Sequence, residues 1–117
     1  MNPDEALDQQ ALTRLRSWGG DQFVKKMCEL FLSECGPKVG VIRKRFEAQD
    51  WLGVEKIAHS VKSSAANIGA LSVRSLTEQI ERLAKDHDQS AIAPLLGELE
   101  RAYSQVQRDL ENLISEK

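Results

Sequence analysis

The sequence predicts an all-α protein: an antiparallel up-down-up-down four-helix bundle with an additional N-terminal helix. Three observations carry this. Apolar residues recur at three- and four-residue intervals through almost the whole chain. No segment shows sustained strand alternation between turn signals. Four long amphipathic segments are joined by short turns. A chain of 117 residues can bury one core but not two, so residues 1–117 read as a single domain.

The N-terminal helix is expected over about 4–18, with Leu7, Ala11, Leu12 and Leu15 inward, and it stops at Gly19-Gly20. Asp21 then offers an N-cap oxygen. The next helix carries Phe23, Val24, Met27, Leu30 and Phe31 inward and reaches Cys35. Gly36-Pro37 breaks or bends it, because proline removes a donor and crowds the preceding turn. The pattern resumes with Val39, Ile42 and Phe46, which allows one long kinked helix. Asp50 opens a helix that ends near Gly69, and Val73, Leu76, Ile80, Leu83 and Ala84 trace the stripe of the following one. A polar turn over 85–90 leads to the last helix, capped by Ser90 with Pro94 in its first turn. Its seam is Ile92, Leu95, Leu99, Tyr103, Val106, Leu110 and Leu113. No internal repeat, linker or low-complexity segment interrupts this order.

Composition narrows the function. A net charge of −2 and a pI near 5.7 argue against binding nucleic acid through phosphate contacts. The one basic cluster, residues 42–46 (IRKRF), reads either as a solvated helix face or as a contact for an acidic partner. No run approaches the roughly 18 apolar residues of a membrane span, and the first residues lack the basic start and apolar core of a signal peptide. A cytoplasmic location with no membrane association is expected. Cys28 and Cys35 stand seven apart on one helix, about 10.5 Å along its axis. That exceeds the roughly 7 Å Cα limit for a disulfide, so they read as reduced, mostly buried thiols. No second Cys or His lies at zinc-ligand spacing.

His59 is the residue that calls for chemistry. On a helix over 55–70 at about 100° per residue, Val54, Ile57, Val61, Ala65 and Ile68 form one stripe and His59 lies nearly opposite. Ser63, Ala66 and Ala70 lie above it, with Lys62 and Gly69 at its flank. These are small residues apart from one lysine. Such a strip lets another protein approach the ring closely, and a cation one turn away suits a negatively charged adduct or an acidic partner. An imidazole that titrates near neutrality offers an unprotonated nitrogen as nucleophile.

The run from Ala58 to Ala70, AHSVKSSAANIGA, resembles the signature of histidine-containing phosphotransfer (HPt) domains. Val61 stands where leucine is usual and Ser63 where glycine is usual. The first change costs packing and no chemistry; the second lies on the approach face and is expected to alter affinity without abolishing function. The Gly19-Gly20-Asp21 turn, the helix of Phe31 and Asp50 extend the resemblance to most of the chain.

This resemblance implies a carrier, not an enzyme. It implies that His59 accepts a phosphoryl group, through Nε2, from an aspartyl phosphate of a receiver domain and passes it to an aspartate of another receiver. Those receivers would belong to hybrid sensor kinases and response regulators. They would supply the acidic pocket and its Mg²⁺, with no cofactor held by this chain. Lys62 would contact the phosphoryl oxygens or that pocket, and Ser63, Ala66, Gly69 and Ala70 would form the docking strip of a monomer. Lys62 can equally be a solvated lysine, and Gly69 a plain helix C-cap.

The sequence holds no Gly-rich phosphate loop, no Walker lysine and no carboxylate cluster spaced for magnesium, so autonomous kinase chemistry is not expected. A docking module that carries no phosphate is the alternative reading. His87 reads as a solvated loop histidine, and Trp18 and Trp51 as packing at the core edge. Ser63 and Ser64 lack the base and orienting group of a hydrolase triad. Ser64 is expected to bond a helix carbonyl or reach a neighbouring segment.

Overall fold

A computed structural model describes residues 7–115. Four helices follow one another: α1 Gln9–Glu47, α2 Trp51–Ile68, α3 Leu71–Lys85 and α4 Gln89–Ser115. Among the described residues there is no strand, only an isolated bridge between Leu7 and Ala70. Each helix packs on its neighbours in chain order, and α4 closes on α1. Arg43 of α1 meets Glu100 of α4 while Phe31, a dozen residues earlier, meets Tyr103. The core is a continuous set of side chains from the inward stripes, with Leu12, Ile42, Val54, Val61, Ile80, Leu99 and Leu110 all at 2% exposure or less.

The expected N-terminal and second helices are both present, following one another across a kink within α1. Gly20 interrupts it with φ 76° and ψ −171°, values that glycine alone adopts readily. The first turn starts later than expected. Leu7 is extended and buried, and Asp8 is the N-cap, its carboxylate accepting from the Gln10 amide at 3.0 Å. Residues 4–6 of the expected helix lie outside the described residues. Asp21 does not serve as the cap: its carboxylate pairs with Arg16 Nε at 2.6 Å across the kink.

Helix α1 runs through Pro37. Proline deprives the Ser33 carbonyl of its amide partner, but Ser33 and Pro37 both face solvent, where water can take that place. Opposite them, Tyr103 donates from its hydroxyl to the Leu32 carbonyl at 3.3 Å. Gly36 makes room, since a Cβ there would stand 2.9 Å from the tyrosine oxygen. Burial pushes the Tyr103 phenol up to about 12, so it stays a neutral donor. Cys28 and Cys35 are free and buried, and burial raises both thiols, which makes them unreactive.

Several sequence expectations shift by one position or one face. Trp18 is 68% exposed and Leu30 41% exposed, so neither belongs to the core edge. Leu96 takes the buried place expected for Leu95, and Ala58 is buried where Ile57 is only half-buried. Asp88, not Ser90, caps α4, its carboxylate accepting from the Ala91 amide at 3.2 Å. Pro94 therefore lies two residues deeper than expected, on the exposed side. Trp51 does sit at the core edge, edge-on to Phe46 at 5.7 Å, with the exposed His87 ring stacked on it at 5.9 Å.

Candidate functional site

The site is built on α2, whose ends are firmly set. Asp50 accepts from the Gly53 amide at 2.9 Å at the start. Gly69 closes the helix in the left-handed region at φ 83°, its amide returning to the Ala65 carbonyl. Between them Val54, Ala58, Val61, Ala65 and Ile68 bury one face. The opposite face therefore presents His59 to solvent, with 59% of its side chain exposed.

The tight turn at Gly69-Ala70 folds α3 back along α2, so residues equally far from Ala70 stand level. His59 lies eleven before it and Glu81 eleven after. Glu81, only 12% exposed, uses its two carboxylate oxygens separately. Oε2 meets His59 Nδ1 at 2.9 Å and Oε1 accepts from Lys62 Nζ at 2.8 Å. Burial alone would raise this carboxyl, but the hydrogen bonds from Lys62 and then His59 outweigh it and hold it below the ordinary glutamate range. An ionised carboxylate only accepts, so Nδ1 must carry the proton it shares with Glu81. In the neutral ring this leaves the lone pair on Nε2, the nitrogen farther from the backbone.

The predicted site residues divide. His59 and Ser63 are exposed, and Ala66 and Lys62 are half-buried beside α3. Gly69 and Ala70 do not belong to an accessible face: both are buried. The Asp8 amide donates to the Gly69 carbonyl at 2.7 Å, Ala70 bridges to Leu7, and a Cβ at position 69 would lie 2.7 Å from that of Ala11. The close approach that Gly69 permits is made by the chain's own N-terminal segment. Helical projection placed these residues near His59 but could not see what covers the helix end.

Two neighbours were missed. Glu81 needed the hairpin register, a signal present in the spacing about the Gly69-Ala70 turn. Lys38 of α1 donates to Ser60 Oγ at 2.8 Å, bringing a second cation beside the histidine; no local spacing announces it. Ser64 faces the Cys35 thiol of α1, where its hydroxyl offsets part of the upward push of burial. Among the described residues no group of three or more His, Cys, Asp or Glu side chains is placed to hold a metal ion.

Fold and site together define a helical-bundle protein that presents one oriented imidazole on the middle of a helix. The model of the Hpt domain family matches residues 26–109. Over 85 residues the chain is 31% identical to the phosphorelay protein LuxU of Vibrio harveyi, covering 73% of this chain and 74% of that protein. The crystal structure of the histidine-containing phosphotransfer protein HptB from Pseudomonas aeruginosa PAO1 superposes with a TM-score of 0.87 at 20% identity, covering 96% of this chain and 95% of that one. The chain belongs to the Hpt domain family and is a histidine phosphotransfer carrier.

Proposed function

We propose that this protein relays a phosphoryl group between aspartates of receiver domains, through a phosphoryl adduct on His59 Nε2. The observation that carries the reading is the Glu81 bridge, which commits Nδ1 to a hydrogen bond and leaves Nε2 as the outward nucleophile. In the forward step the Nε2 lone pair attacks phosphorus and the acyl-phosphate P–O bond breaks, releasing the donor's aspartate as a carboxylate. In the onward step a second receiver's carboxylate attacks the same phosphorus and the P–N bond breaks. Mg²⁺ is brought by each receiver to balance charge on the phosphoryl oxygens.

The chain's own contribution is position and charge. Glu81 fixes the ring, and Lys62 offsets the negative charge of Glu81 so that it does not repel the incoming phosphoryl group. From there Lys62 can swing to the phosphoryl oxygens or the receiver's acidic pocket, while Ser63 and Ala66 leave the approach open. The relay acts as a monomer in the cytoplasm, between hybrid sensor kinases and response regulators, with no cofactor of its own and no nucleic-acid or membrane partner. The members of this family are carriers, not kinases or phosphatases.

The test is transfer from a panel of phosphorylated receiver domains, with Mg²⁺, to wild type and His59→Gln. The expected result is an acid-labile, alkali-stable label on the wild type alone. Binding without transfer by the wild type, undiminished in His59→Gln, would make the protein a docking module instead.

A further inference from the structure

The exposed face of α2 is not symmetric about His59. Leu52, Lys56, His59 and Ser63 follow one another at four-, three- and four-residue steps and all face solvent. Leu52 is 60% exposed. A single exposed leucine is ordinary on a surface, but this one stands seven residues before His59 on the same stripe, about 10.5 Å away at 1.5 Å per residue.

The nearby cations differ in their partners. Lys62 is matched by Glu81. Lys56 makes no ion pair among the described residues, and Lys38 reaches only the neutral hydroxyl of Ser60. In the other direction the face offers Asn67 and then ends where Leu7 and Asp8 cover Ala70 and Gly69. Toward the start of α2 the face thus presents an apolar step and the unmatched charge of Lys56, with Lys38 level with the histidine itself; toward its end it presents an amide, the exposed Arg74 of α3 and the molecule's own N-terminal segment.

Resting on the phosphotransfer reading, we infer that the receiver's footprint runs from His59 toward the N-terminal end of α2. Leu52 seats in an apolar recess beside the receiver's acidic pocket, and Lys56 and Lys38 face that pocket's carboxylates. Desolvated apolar anchors hold complexes together, while unpaired rim charges set the encounter rate and its salt dependence.

Leu52→Asp and Asn67→Asp test this, because they place the same new charge at nearly equal distances on opposite sides of His59. Both positions are exposed, and aspartate suits position 52 in the first turn after the Asp50 cap. Chemical phosphorylation of His59 by phosphoramidate, which needs no receiver, is expected to be unchanged in both. Transfer from the cognate phospho-receiver is expected to show an apparent KM raised about tenfold or more in Leu52→Asp and less than about threefold in Asn67→Asp, with plateau rates kept. Lys56→Gln is expected to flatten the rise of KM with added salt. Equal effects at 52 and 67, or a larger one at 67, overturn the footprint. Wild type that phosphoramidate labels and no receiver labels overturns the relay reading, and the footprint with it.

Discussion

The two ends of the AHSVKSSAANIGA run use small residues for opposite purposes. Around His59 they keep a face open: Ser63, one turn on, is exposed. At Gly69-Ala70 they close one, letting the Leu7–Asp8 segment lie against the helix end with a backbone hydrogen bond of 2.7 Å. One continuous stretch of sequence thus splits into an access surface and a packing joint, and the same kind of substitution should injure different properties at each.

The largest effect expected on either side is at the joint. Gly69→Val meets both a positive φ and a Cβ contact of 2.7 Å, so it is expected to cost roughly 2–5 kcal/mol. A lowered denaturation midpoint checks this, while the folded fraction should transfer phosphoryl at the wild-type rate. Ser63→Trp is its mirror: near-wild-type stability with transfer slowed tenfold or more. If Gly69→Val slowed transfer without losing stability, the division between joint and access face would be wrong.

Core residues beneath the same helix sharpen the comparison. Ile68 is 2% exposed, and Ile68→Ala is expected to cost about 2–5 kcal/mol. Ile57 is half-buried, and Ile57→Ala is expected to cost less than half as much. Chemical denaturation of the pair measures the difference.

Glu81→Gln should act on the open face. Losing the ionised acceptor frees the ring and the lysine, and transfer is expected to slow on the order of tenfold, the kinetic equivalent of about 1.4 kcal/mol. The pH dependence of stability supplies an independent reading. Because the Glu81 carboxyl is held below its ordinary value of 4.5 in the folded protein, its contribution is full above that value. It is lost as pH falls through the lowered one. Glu81→Gln is therefore expected to flatten the acid limb of the stability curve.

The smallest effect expected is at the Arg43–Glu100 pair, whose side chains are about 40% exposed despite a two-pronged contact at 2.6 and 2.9 Å. Arg43→Ala should change stability by less than about 1 kcal/mol and transfer not at all.

Local patterns made most of this legible. The inward stripes of α2 and α3, the break at Gly19-Gly20 and the outward His59 all follow from residue spacing, because a helix face is a property of a few consecutive turns. What escaped depends on which helix lies next to which. Lys38 reaches Ser60 from 22 positions away and Glu81 reaches His59 across the same interval. Trp18 looked like core-edge packing by its chemistry, but it stands two residues before the kink at Gly20 and is 68% exposed. Gly69 is the C-cap that one reading expected, but its place and that of Ala70 on a docking strip could not be judged from the helix alone, because the segment that buries them precedes α1.

The most direct test is ¹⁵N–³¹P NMR of histidine-labelled protein after transfer from a phospho-receiver. The expected spectrum shows phosphorus bonded to Nε2 of His59, with Nδ1 still protonated and hydrogen-bonded. Phosphorus on Nδ1, on His87, or on neither ring would contradict the account.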